Sequence, residues 1–151
     1  MWLATVGGVG FVPVAPGTAG AAIACLSFLA THSLGLAFHL GLTVGVTALG
    51  VWASGASERA FGRPDDGRIV IDEVAGQWIA LIPQFFFAAA LPAVVVTAFV
   101  AFRVFDIWKP GPVRWAERRF RGGWGVMADD VVAGLLAAVV SGAVIGMWGV
   151  L

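Results

Sequence analysis

VAGQWIALIPQFFFAAALPAVVVTAFVAF, residues 74–102, contains no charged side chain over its 29 positions. A helix crosses a bilayer with about 20 apolar residues, so this run is long for one crossing and short for two. Pro83 and Pro92 lie inside it, and neither suits a helix interior. If helices continue through the flanking charges, from about Asp72 to Ala89 and from Leu91 to Trp108, two short spans fit. The hairpin reading returns the chain to the side it left.

Composition supports a membrane setting. Of 151 residues, 60% are hydrophobic and 12% charged, with mean hydropathy +0.93. Soluble domains carry about 25% charged residues. The sequence therefore predicts one integral membrane domain over residues 1–151, all-α. The 21 glycines suit helices packed closely in lipid. Zero net charge gives no bulk attraction to nucleic acid, and none is expected as a partner. The lone Cys25 lies in an apolar run without a neighbouring cation and reads as packing. The start of the chain shows no charged n-region or small-residue cleavage site of a signal peptide.

All eighteen Asp, Glu, Lys and Arg residues fall in two windows, eight in 58–73 and ten in 103–130. Residues 19–31, 34–53 and 131–150 supply three further apolar segments. The expectation is a bundle of about five short membrane helices, some tilted or incomplete, plus an interfacial helix. With two spans between them, both charged windows share a side, and the positive-inside rule makes that side cytoplasmic. The C-terminus would then lie across the membrane. The stretch PVRWAERRFRGGW (112–124) reads either as a helix in the membrane interface, with arginines toward anionic headgroups, or as a solvated loop with snorkelling arginines.

Four segments carry the chemistry. In VPVAPGTAGAA (12–22), Thr18 is the expected N-cap of the next helix, whose free N–H groups suit a phosphate. In DDGRIVIDEVAGQW (65–78), Asp65, Asp66 and Gly67 read as a turn, and Asp72 and Glu73 open a helix. In FRVFDIWKP (102–110), Arg103, Asp106 and Lys109 recur at a spacing that lines one helix face. In GGWGVMADDVVAG (122–134), Asp129 and Asp130 are expected to open another apolar helix, with Gly134 allowing close approach. Asp72, Glu73, Asp106, Asp129 and Asp130 would converge at one membrane face. Five carboxylates without a counter-ion repel each other, and hard oxygen ligands favour Mg2+. Arg103 and Lys109 cannot ligate a metal but can bind phosphate. The competing reading is an ion-pair network that merely joins helices. His32 and His39 read as structural.

The four segments occur together as APGTAG (15–20), DDGRIVIDEVAGQW (65–78), FRVFDIWKPGPVRW (102–115) and GGWGVMADDVVAG (122–134). In this order and spacing the sequence resembles the phosphatidylglycerophosphatase A family of bacterial membrane enzymes. The resemblance spans nearly the whole chain. It implies an all-α fold with a central helix surrounded by others. It also implies a magnesium-dependent phosphatase that converts phosphatidylglycerophosphate to phosphatidylglycerol in the bacterial inner membrane. On that resemblance Asp72, Glu73, Asp106, Asp129 and Asp130 would be catalytic and metal-binding. Lys109 would be catalytic and, with Thr18 and Arg103, would hold the substrate. Asp66 is not assigned to the site.

Two other membrane-enzyme patterns are absent: the D-G-x-x-A-R motif of alcohol phosphotransferases, and a histidine nucleophile in a Ser-Gly-His context. A magnesium channel or transporter would need polar residues along a full path, whereas the charges here sit at one end of the spans.

Overall fold

The computed structural model describes residues 1–87 and 91–148. The ends expected for the third and fifth spans, and the C-terminus, fall on residues 88–90 and 149–151, outside the described residues. The α-helices run in the order α1 (Pro16–Thr31), α2 (Leu36–Phe61), α3 (Ile71–Leu81), α4 (Leu91–Trp108), α5 (Gly111–Arg119) and α6 (Gly123–Trp148). No strand occurs among the described residues.

Helix α3 is the core. Each of its eleven residues is buried, Asp72, Glu73 and Gln77 included. Helices α1, α2, α4 and α6 surround it and are long and apolar enough to cross a membrane. Their outward faces expose large apolar side chains such as Leu26, Val44, Val96 and Val139, which a hydrocarbon environment accepts and water does not. The chain is a multi-pass membrane protein. The third expected span, which α3 occupies, is thus incomplete. Eleven residues rise about 16 Å, and a 3₁₀ turn over Ile82–Phe85 follows.

The two prolines explain the hairpin. Pro83 lies in the 3₁₀ turn that ends α3, and Pro92 is the second residue of α4, positions where a missing N–H costs little. Helix α2 runs beyond its expected end near residue 53, through Glu58 and Arg59 to Phe61. It stops where Gly62 adopts φ 70°, the left-handed geometry that closes many helices.

Close contact between α3 and α6 depends on two glycines. A methyl group on Gly76 would strike the Phe102 ring and the Asp130 carbonyl, and one on Gly134 would strike the Gly76 backbone. Gly134 therefore does what its place in the sequence predicts. Trp78 ties α3 to α1 by donating its indole N–H to the Ala24 carbonyl at 3.1 Å. At the opposite end of α1 from the carboxylates, His39 packs against Phe28 and Phe85 and donates Nε2–H to the Thr31 carbonyl at 3.1 Å. His32 lies beside it, 3.0 Å from the Leu29 carbonyl. Both histidines make their ring contacts away from the carboxylate end.

Helix α5 is amphipathic. Val113 and Ala116 are buried against the bundle, while Arg114, Trp115, Arg118 and Arg119 face outward. The helical reading of this segment holds and the loop reading does not.

Candidate active site at the charged end of the bundle

Every charged side chain that meets another helix does so at one end of the bundle. Glu73 stands in the first turn of α3, and the last turns of the antiparallel α4 bring Arg103 and Asp106 beside it. Arg103 forms an ion pair with Glu73 and places Nη1 3.0 Å from Asp106 Oδ2. Helix α6 adds Asp130. Ligand oxygens of Glu73, Asp106 and Asp130 all lie within 4.8 Å of one another.

Asp129 turns elsewhere. Its Oδ2 accepts a hydrogen bond from Lys109 Nζ at 2.8 Å, and the same ammonium donates to Glu117 Oε1 on α5 at 2.7 Å. Burial alone would lower the Lys109 pKa, but the bonds to Asp129 and Glu117 prevail and raise it, so the cation persists. Asp72 Oδ1 accepts the Glu73 backbone N–H at 3.0 Å. Five predicted carboxylates thus share one end, but only three form the tight cluster.

The cluster suits a divalent cation. Its three carboxylates exceed the charge of Arg103 by two, every donor is a hard oxygen, and buried Asp130 Oδ2 has no partner among the described residues. Oxygen-only donor sets of this kind suit Mg2+ or another hard cation. Glu73, Asp106 and Asp130 are the residues able to hold it. Asp129 Oδ1, also without a partner among the described residues, offers a further acceptor nearby.

Two expectations need correction. Thr18 is not the N-cap. Helix α1 begins at Pro16, and Ala15, at φ 50°, occupies the cap. Proline at N1 starts the helix early because its φ is already helical. Thr18 therefore lies in the first turn, half-buried, where its backbone N–H is among those a helix leaves free. Asp129 and Asp130 do not open their helix either. Helix α6 starts at Gly123, and they are its seventh and eighth residues.

The sequence reading also missed Asp65 and Glu117. Asp65 donates its backbone N–H to Glu58 Oε1 at 2.7 Å. Its carboxyl pKa is raised, first by desolvation and then by Glu117, Glu58 and Asp106, against the pull of Lys109. Asp65, Glu117, Glu58 and Asp129 line one cavity of about 260 Å³ beside the cluster. Their separation along the chain concealed this. Glu58 lies in the last turn of α2, Asp65 follows that helix, Glu117 lies on α5 and Asp129 on α6, so the four meet only in the folded chain.

A family model described as Phosphatidylglycerophosphatase A matches residues 2–145. The chain belongs to the phosphatidylglycerophosphatase A family. Phosphatidylglycerophosphatase A of Escherichia coli (strain K12) is 37% identical over 140 residues, which cover 87% of this chain and 74% of its own length. The protein of that name from Haemophilus influenzae is 35% identical over 138 residues, covering 88% of this chain and 80% of its own length. A Bacteroides thetaiotaomicron protein, provisionally named a phosphatidylinositol-3-phosphatase, is 41% identical over 144 residues, covering 87% of this chain and 84% of its own length. No solved structure matches the chain. The family is one of phosphatases, and four motifs that suggested it from sequence lie within the matched residues.

Proposed function

We propose that this protein is a magnesium-dependent lipid phosphatase that hydrolyses phosphatidylglycerophosphate to phosphatidylglycerol and phosphate. Its site faces the cytoplasm at the bacterial inner membrane. One observation carries the reading: Glu73, Asp106 and Asp130 gather their oxygens within 4.8 Å beside the guanidinium of Arg103. Such an arrangement offers a cation and a cationic side chain to the same phosphate.

Magnesium bound there supplies charge that polarises phosphate oxygens and acidifies water. Arg103 and Lys109 balance the charge of the transferring phosphoryl group. Among the described residues, Asp129 and Asp130 each keep one oxygen without a partner, and such an oxygen can take the proton from the attacking water. The P–O bond to glycerol breaks, a proton reaches the leaving alkoxide, and phosphatidylglycerol remains in the bilayer. Thr18 and the first turn of α1 border the cluster through Gly17, which abuts the Glu73 carboxylate. Their free N–H groups suit a phosphate oxygen.

Transport fits less well. Beyond Gln77, α3 offers only Trp78, Ile79, Ala80 and Leu81 to the bundle interior, so the central helix continues no polar path across.

The test uses the protein purified in detergent and measures phosphate release from phosphatidylglycerophosphate with and without Mg2+. Turnover that requires the metal supports the reading. A folded protein that releases no phosphate overturns it.

A further inference from the structure

The DDGR turn (65–68) lies outside the catalytic cluster, yet it builds a polar cavity of about 590 Å³. Arg63, Asp65 and Arg68 line it on one side, and Gly10, Phe11 and Pro16 on the other. Arg68 is held rigidly. Its Nε and Nη2 donate to the two Asp66 oxygens at 2.6 and 2.8 Å, and its backbone N–H donates to Oδ1 at 3.1 Å. The guanidinium also covers the Phe61 ring at 3.8 Å. Asp66 is buried and spent on this pairing, while Arg68 Nη1 keeps its donors. Arg63 forms no ion pair among the described residues. The cavity, which Asp65 and the Arg68-paired Asp66 also line, thus presents one fixed and one unengaged cation.

Its position gives these cations a use. Asp65 also lines the smaller cavity bordered by Asp129. Pro16 precedes Gly17, which lies against Glu73. The cavity therefore adjoins the site proposed for the phosphomonoester. Phe11 and Val12 on its wall, with Val14 nearby, are exposed, as apolar side chains are where they enter a lipid interface. A lipid of the proposed substrate class carries a second anion, the phosphodiester, one polyol away from the monoester and closer to the acyl chains.

We propose that Arg63 and Arg68 form a subsite for that phosphodiester. The subsite rests on the lipid phosphatase reading and extends it to substrate specificity. It selects a phosphomonoester attached through a polyol to a phosphodiester over one attached directly to diacylglycerol.

The experiment compares wild type, Arg63→Ala and Arg63→Lys, all in full-length detergent-solubilised protein. Arg63 is exposed, so its removal leaves the packing intact. Arg68→Lys serves as a second variant, because Arg68→Ala would strand the buried Asp66 carboxylate. Loss of one charge-assisted contact raises KM for phosphatidylglycerophosphate roughly tenfold in Arg63→Ala. The kcat value stays within about twofold, as for a contact made equally in ground and transition states. Arg63→Lys recovers most of the loss, and Arg68→Lys shows a KM effect of the same kind. Hydrolysis of phosphatidic acid, which lacks the diester, is unchanged. Binding of short-chain phosphatidylglycerol, which has the diester alone, weakens by the same factor as KM rises. Unchanged KM and unchanged phosphatidylglycerol binding in the variants would overturn the subsite, as would equal losses on phosphatidic acid. Absence of wild-type turnover on phosphatidylglycerophosphate would instead overturn the parent reading, and phosphatidylglycerol binding would still test the arginines.

Discussion

Gly17 abuts the carboxylate of Glu73 so closely that a methyl group on its Cα would overlap Oε1. The first turn of α1 is thereby pressed onto the acidic cluster. The partial positive charge of that turn favours the carboxylate it meets.

Gly17→Ala should therefore damage function more than fold. The overlapping atom is the end of a flexible side chain, so Glu73 rotates away and the bundle stays intact. Displacing a site group by about 1 Å costs roughly 10²-fold in rate. Turnover should fall by that order with the thermal midpoint within a few degrees of wild type. A variant that unfolds early but keeps normal specific activity would show the contact to be packing alone.

Metal removal gives the second expectation. EDTA should abolish phosphate release and Mg2+ should restore it, because Glu73, Asp106 and Asp130 exceed the charge of Arg103 by two. Full turnover in a rigorously chelated sample would contradict the metal assignment.

Much of this was legible in the sequence. The two charged windows, the proline-bounded hairpin and the small residue at Gly134 place the acids at one end of an all-α bundle. Which acids meet was not legible. Successive residues on a helix point about 100° apart, so adjacent carboxylates cannot enter the same cluster in the same way. Glu73 and Asp130 meet Asp106, while Asp129 turns to Lys109 and Asp72 to a backbone N–H. Helix starts were also hidden. Asp129 and Asp130 read as opening a helix, but Gly122 takes the positive φ and Gly123 begins α6 six residues before Asp129.

The orientation can be checked by cysteine labelling, since the only native cysteine, Cys25, is buried. Gly67→Cys and Arg121→Cys, both at exposed positions, should react from the cytoplasmic side. Leu34→Cys, exposed between α1 and α2, should react from the opposite side. Labelling of positions 67 and 121 from different sides would break the hairpin topology.

The Asp66–Arg68 pair predicts a pH dependence. Hydrogen bonding from Arg68 holds the Asp66 carboxyl at about 2, below the ordinary value of about 3.9. A pKa lowered on folding stabilises the protein above the unfolded value. That contribution is lost as pH falls through the folded value. Thermal stability of wild type should decline from about pH 4 toward pH 2, and Asp66→Asn should show a flatter slope across that window. Equal slopes would mean that the pair contributes nothing to folding.

Asp106 and Lys109 separate metal binding from phosphate contact. Asp106 shares the tight carboxylate cluster, so Asp106→Asn should weaken Mg2+ binding and lower turnover together. Lys109 touches Asp129 and Glu117 and is not in that cluster. Lys109→Ala should leave Mg2+ affinity intact or slightly tighter, since it removes a cation from the neighbourhood. Its turnover should fall roughly 10²–10³-fold, the cost of about 2.7–4 kcal/mol seen when one donor to a developing charge is lost. Both residues lie at the charged end of α4, and both variants should fold. If the charges served only to join helices, the pattern would reverse. Either change would lower the thermal midpoint, and the surviving folded protein would keep its specific activity. Measuring midpoint, Mg2+ affinity and turnover on the same two preparations decides between these outcomes.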